Sequence, residues 1–392
     1  MEEKDRLLQR ILSLTTSAPW TENLRLNRES IRTLCEEGML GRIRRMYLTG
    51  GGTSLYAAEV GRSYMERIAG IPAQAVPCYS FSHYIPENLL GPDVCLLAIS
   101  QTGTARSVEN CVRTAQRAGA LDIVVSGSID ARVPAAARRL ILTDAKTEGP
   151  SAKSTSYIQA ITAVYLLAIA IGLANGHLTA RQAAWWDTQL EKTVQKSAQL
   201  GGITEQMYQL AAQYKNAPIH HCLAAGPNVG TVEEGALKII EMAWVPAEGR
   251  EMEDFLHGRY REVDETTPLL LVAPLGPSKE KLMDTLGSAK RIYAPTIVLT
   301  DDPDPAIARL AAHVVKMPGG VDEFLTPLLY ITPLWLYAHR MGLLRGGDPA
   351  FHANRPESIR PISPPRQVPP LCGGCALYAR HGWQRACFPQ NP

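Results

Sequence analysis

Apolar residues in this chain fall into short unbroken runs, each followed by a glycine- or hydroxyl-rich turn and then a helical pattern. RRMYLTGGGTSLYAAEV, residues 44–60, shows the unit, and IHHCLAAGPNVGTVEEGALKII, residues 219–240, repeats it about 175 positions later. VCLLAISQTGTARSVENCV is answered by PLLLVAPLGPSKEKLMDTL, and DIVVSGSIDARVPAAARRLILTD by PTIVLTDDPDPAIARLAAHVVKMP. The apolar helix pattern after Thr155 is answered by LTPLLYITPLWLYAHR. Four elements recurring in one order at nearly one offset point to duplication.

Unbroken apolar strands are buried on both faces, as in a parallel sheet covered by helices. The expected fold is α/β, with two tandem doubly wound parallel-sheet halves. Ligands of such sheets sit at the carboxyl ends of the strands. The predicted layout is a helical lead-in over 1–44, one half over 45–195, a second over 196–346 and a tail over 347–392. The tail carries PISPPRQVPP and is expected to be loosely ordered.

Residues 155–176 contain no charge and are long enough to span a bilayer. Ser156, Gln159 and Thr162 interrupt the run, no basic flank follows, and no second clear span exists, so a buried helix is expected and no membrane association. Composition agrees with a soluble globular chain: of 392 residues 45% are hydrophobic and 20% charged. A net charge of +2 without any basic cluster gives no reason to expect nucleic acid. Eight cysteines lack framework spacing and the start, MEEKDRLLQR, lacks a signal-peptide core, which implies buried free thiols and a cytoplasmic location. Cys372, Cys375, His381 and Cys387 in the tail follow no familiar zinc spacing, so no metal is expected.

The first half holds three loops rich in small hydroxyl residues: Gly50–Ser54, Ser100–Thr104 and Ser151–Ser156. Helix capping alone would explain any one of them. Three in one half, each between strand and helix, form a cradle for phosphate, which a helix N-terminus stabilises. No Walker motif or GxGxxG is present, so no nucleotide cofactor is expected. In EEGALKIIEMA, Glu234, Lys238 and Glu241 fall within about 60° of one another on a helix. Leu237, Ile240 and Trp244 form a neighbouring stripe expected to dock on the sheet. A solvated Glu–Lys–Glu ladder is the plain reading of that spacing. Its place after the second glycine turn, with His257 sixteen residues past Glu241, favours acid–base chemistry instead.

GGGTS, SQTGT, SAKSTS, EGALKIIE and LHG, in this order across about residues 45–345, resemble the sugar isomerase (SIS) family. They are most similar to the isomerase half of glucosamine-6-phosphate synthase and to stand-alone deaminases and fructosamine-6-phosphate deglycases. The resemblance implies a phosphosugar enzyme without a cofactor that moves a proton between C1 and C2. It implies Ser54, Ser100, Gln101, Thr102 and Ser154 at the phosphate, with Thr104 or Ser107 standing in for a threonine lost at Ala105. It implies Glu241 as base, Lys238 beside the substrate and Glu234 as an orienting group. His257 is implied for ring opening, reaching in from the other subunit of a homodimer. A glutamine-hydrolysing segment is not found, no lysine follows Lys316, and Arg259 stands where proline is common, which argues against glutamine-dependent synthesis. The alternative class is a sugar-phosphate-sensing module without catalysis.

Overall fold

The computed structural model describes residues 3–16, 18–144, 148 and 152–350, and the cysteine-bearing part of the tail lies outside them. The first sheet contains β1 (Arg45–Thr49), β2 (Ala73–Ala75), β3 (Val94–Ile99), β4 (Leu121–Ser126) and β5 (Leu140–Leu142). The second contains β6 (His220–Ala224), β7 (Ala247–Glu251), β8 (Leu269–Val272), β9 (Thr296–Thr300) and β10 (His313–Lys316). Strand orders are β2-β1-β3-β4-β5 and β7-β6-β8-β9-β10, one topology used twice, with every pairing parallel. Arg45 and His220, Val94 and Leu269, and Leu121 and Thr296 begin equivalent strands, an offset of 175 each time. The two halves are thus a structural duplication.

Central strands are apolar and buried along their whole length, as in VCLLAI of β3 and LLLV of β8. The edge strands β2 (AQA) and β7 (AEGRE) are polar and half exposed, which blunts edge pairing and hides them from a hydrophobic scan. The inner faces of both sheets share one continuous core, while each outer face packs a smaller cluster of its own. Helix Thr155–Ala174 has mean hydropathy 2.0 and is mostly buried in that shared core, against helices Thr53–Tyr64 and Ala18–Glu36. Its counterpart Pro327–Leu344 packs on helices Val229–Ala243 and Thr204–Tyr214. The lead-in joins the same core: helix Glu3–Ser13 buries Leu7 and Ile11, and helix Ala18–Glu36 ties Asn27 to the Leu142 carbonyl at 2.8 Å. Cys78, Cys95, Cys111 and Cys222 are buried free thiols, and Cys35 is an exposed one.

The halves meet where helix Val229–Ala243 crosses helix Thr53–Tyr64. Gly230 makes the crossing close, since a Cβ there would lie 2.6 Å from the Tyr56 carbonyl oxygen and 3.0 Å from the Val60 nitrogen. Gly235 lies against Leu334 in the same way. Alanine is the better helix former by about 1 kcal/mol, but overpacking costs about 1–3 kcal/mol. Gly230→Ala is therefore expected to lower the unfolding free energy by about 1–2 kcal/mol in urea titration. Gly287→Ala, where a Cβ meets only an arginine tip at 3.9 Å, is expected to raise it by up to about 1 kcal/mol.

Candidate active site

The strand order of the first sheet reverses between β1 and β3, and this is where a crevice opens. A cavity of about 270 Å³ lies there. Its floor is made by Gly51, Gly52, Thr53 and Ser54 after β1 and by Ser100, Gln101, Thr102, Ser107 and Val108 after β3. Ser126 and Thr143, at the ends of β4 and β5, add two hydroxyls, and Lys153, Ser156 and Tyr157 form a further wall. Gly52 has φ +54°, a conformation glycine adopts without strain, and it starts helix Thr53–Tyr64 without a side-chain cap. Helix Arg106–Arg117 also starts without a side-chain cap, at Ala105. Two helix N-termini without a side-chain cap thus border one polar space, which suits a phosphate.

The third loop behaves differently. Ser154 is fully buried, and its backbone N–H and hydroxyl both donate to Glu148, whose other oxygen accepts from the Ser156 N–H at 3.1 Å. An internal carboxylate therefore closes the N-terminus of helix Thr155–Ala174. Ser154, expected at the phosphate, does not line the cavity in the single chain; the loop presents Lys153 and Ser156 there. Thr104 does not line the cavity either: its hydroxyl is 2.9 Å from that of Thr102 and it faces outward.

The second half has the same fold but a different residue at the end of the equivalent strand. Position 301, which corresponds to Ser126 at the offset of 175, is an aspartate. Asp301 accepts from the Leu275 N–H at 2.7 Å and from the Tyr330 hydroxyl at 3.1 Å. A built-in anion fills the place that the first half leaves open.

Helix Val229–Ala243 begins after β6 and ends at Trp244, which takes a left-handed turn (φ +54°) just before Pro246. Its buried face is Val232, Ala236, Ile239 and Met242, and Glu234 and Lys238 are buried with it. Ile240 is 44% exposed and Leu237 half-buried, so the stripe expected to dock on the sheet is the outer one. Periodicity identified the faces correctly but not which faced inward. Lys238 Nζ donates to Glu241 Oε2 at 2.7 Å and to Thr53 Oγ1 at 2.8 Å, and lies 3.0 Å from Glu234 Oε1. The ammonium thus joins its own helix to the first loop of the other half. It does not line the cavity, whereas Glu241, whose side chain is 38% exposed, does.

Burial pushes the Glu234 carboxyl from the ordinary 4.5 up to about 7, against the pull of the Lys238 ammonium. Lys238 is raised: burial opposes its charge, but Glu234 and Glu241 outweigh it. His257 follows helix Met252–Leu256 on the open surface, with its side chain 75% exposed and Nε2 3.0 Å from Glu253 Oε1. It borders a separate depression with Arg250, Arg259, Arg261 and Glu262, so a single chain does not bring it to Glu241. Near that depression His221, Glu248 and Glu262 place ligand-type atoms within 4.8 Å of one another. The Arg259 guanidinium already contacts both carboxylates, at 3.1 and 3.6 Å, and balances them. Sequence reasoning missed Ser126, Thr143 and Lys153 as wall residues; the first two were legible as hydroxyls at strand carboxyl ends.

The raised Glu234 carboxyl has a consequence for stability. Between about pH 4.5 and 7 the folded chain holds a proton that the unfolded chain has released, so stability falls as pH rises through that window. Glu234→Gln lacks this loss, while Glu233, also pushed up to about 7 by burial, titrates in both proteins and cancels. Between pH 5 and pH 8 in urea titrations, wild type is expected to lose on the order of 2–3 kcal/mol relative to Glu234→Gln.

The SIS domain profile matches residues 39–171 and 222–342, one segment in each half. The chain is 28% identical over 336 residues to the isomerizing glutamine–fructose-6-phosphate aminotransferase of Thermococcus kodakarensis, covering 85% of this chain and 54% of that protein. It thus spans about half the length of such curated relatives. Among solved structures, the C-terminal domain of glucosamine-fructose-6-phosphate aminotransferase from Francisella tularensis superimposes with a TM-score of 0.79 at 17% identity, covering 87% of this chain and 96% of that one. Tagatose-6-phosphate ketose/aldose isomerase from Escherichia coli gives 0.71 at 17% identity, covering 92% and 96%. Two matched segments, two sheets of one topology and the clustered site residues lead to one statement: the chain belongs to the SIS domain family and carries the domain twice.

Proposed function

We propose that the protein is an aldose–ketose isomerase-type enzyme acting on an amino-substituted sugar 6-phosphate. The observation that carries this reading is the position of Glu241. Its carboxylate lies on the wall of a hydroxyl-lined cavity and is held there by an ammonium anchored on the opposite half. The phosphate docks on the uncapped N-termini of helices Thr53–Tyr64 and Arg106–Arg117, with Ser54, Ser100, Gln101 and Thr102 as side-chain partners. Glu241 takes the proton from the carbon next to the carbonyl. The C–H pair becomes a C=C bond, and the carbonyl pair moves to oxygen. Returning that proton to the former carbonyl carbon, while the adjacent hydroxyl passes its own proton to the enediolate oxygen and becomes the new carbonyl, completes an isomerisation. On an amino-substituted sugar the imine so formed is hydrolysed, releasing ammonia or an amine.

His257, exposed in the single chain, opens the sugar ring in the site of a second subunit, so the active unit is a homodimer with shared sites. A sugar-phosphate sensor is the competing reading. It would keep the phosphate loops but has no use for a carboxylate fixed by a buried ammonium.

Wild type and Glu241→Gln are compared on fructose 6-phosphate, glucosamine 6-phosphate, tagatose 6-phosphate and phosphorylated fructosamines, by released amine and sugar phosphate. The variant is expected to lose about 10³-fold in kcat while binding the same compounds within about threefold. Unchanged turnover would falsify the proton-transfer role. Shared sites have their own test. Glu241→Gln and His257→Ala, each inactive, are expected to recover about a quarter of wild-type activity when unfolded and refolded together. No recovery means that each site uses its own histidine.

A further inference from the structure

Proton abstraction next to a carbonyl leaves negative charge on oxygen, and a site that accelerates it needs a donor aimed at that oxygen. Lys238 does not supply it, being fully buried, absent from the cavity wall and engaged by Thr53, Glu241 and Glu234. Among the described residues that line the cavity, Lys153 is the one cation and Glu241 the one anion. Lys153 comes from the third loop, just before a helix whose N-terminus Glu148 already closes. That loop therefore contributes a side-chain charge where the other two contribute backbone N–H groups.

Resting on the proton-transfer reading above, we propose that Lys153 is a further catalytic residue, whose ammonium donates to the sugar oxygen on which charge collects when Glu241 takes the proton. As the C–H pair becomes the C=C bond and the carbonyl pair moves onto oxygen, the ammonium hydrogen-bonds the new oxyanion and keeps its own proton. The oxygen returns to a carbonyl or hydroxyl when the carbon is reprotonated.

Two observations place Lys153 at the reacting end of the sugar rather than at the phosphate. The phosphate places are the uncapped helix starts after β1 and β3, while Lys153 follows β5 across the crevice. Lys153 and Glu241 line one cavity, so a sugar held in it is within the reach of both the base and this ammonium. Burial, with Arg10 and Lys238, pushes its pKa below the ordinary lysine value against the pull of Glu148 and Glu241. A more acidic ammonium is a better hydrogen-bond donor to an oxyanion, and it sets an alkaline limb on turnover.

The test compares two hexose 6-phosphates by titration calorimetry: an aldonate, with negative charge at C1, and an uncharged alditol. Lys153→Met is expected to weaken the aldonate about 30-fold and the alditol less than threefold, with kcat on the substrates above falling about 100-fold. Lys153→Arg is expected to restore most aldonate affinity and to move the alkaline limb of kcat to higher pH. Should Lys153→Met fail to fold, Lys153→Gln carries the same comparison. Equal weakening of both ligands makes Lys153 a phosphate partner and overturns this inference alone. Wild type binding neither ligand overturns the functional reading and this inference with it.

Discussion

The architecture depends on one buried ammonium. Taking a lysine out of water costs several kcal/mol unless its charge is answered. Here Glu234 and Glu241 come from its own helix, and Thr53 comes from the glycine loop of the other half. The contact can form only when the two halves are in register, and Gly230 lets their helices approach closely enough. Once made, it fixes the direction of the Glu241 carboxylate relative to the hydroxyl-rich loops of the first half. Packing of the halves and geometry of the site are therefore the same constraint. Lys238 itself does not line the cavity, whose one cation among the described lining residues is Lys153.

Duplication gave the chain two equivalent sheet edges, and they differ in charge. In the first half the end of β4 carries Ser126, which lines the cavity. In the second half the corresponding Asp301 accepts hydrogen bonds from Leu275 and Tyr330, filling the equivalent place with a fixed carboxylate. Glu148 does the same for the third helix of the first half. Internal carboxylates thus close the surplus anion sites of a fold that presents many helix N-termini at one edge. The cavity of the first half is thus lined by hydroxyl loops of one half and by the Glu241 carboxylate of the other.

Most of the fold was legible because buried parallel strands are unbroken apolar runs, and duplication let each run confirm another. Strands β2 and β7 escaped because edge strands are polar, and AQA or AEGRE carries no hydrophobic signal. On the helix Val229–Ala243, spacing correctly grouped Glu234, Lys238 and Glu241. It could not show that their face turns inward, because that depends on a partner helix 170 or more residues away in sequence. Ser154 and Lys153 could not be ranked from sequence for a related reason. Both lie in one loop, and which of them meets the cavity is decided by Glu148, a residue that looks unremarkable in the sequence.

The helix Glu3–Ser13 carries a further consequence, in time rather than space. Leu7 and Ile11 are fully buried, the helix lies against Pro327–Leu344, and His339 Nε2 is 3.2 Å from the Lys4 carbonyl. The earlier-made of the two helices finishes its packing on one made more than 300 residues later. At about 5–20 residues per second its apolar face waits on the order of tens of seconds on the ribosome. Over that interval the nascent chain offers an amphipathic helix to whatever surface is near, so yield in the cell is set by how that face is shielded as well as by final stability.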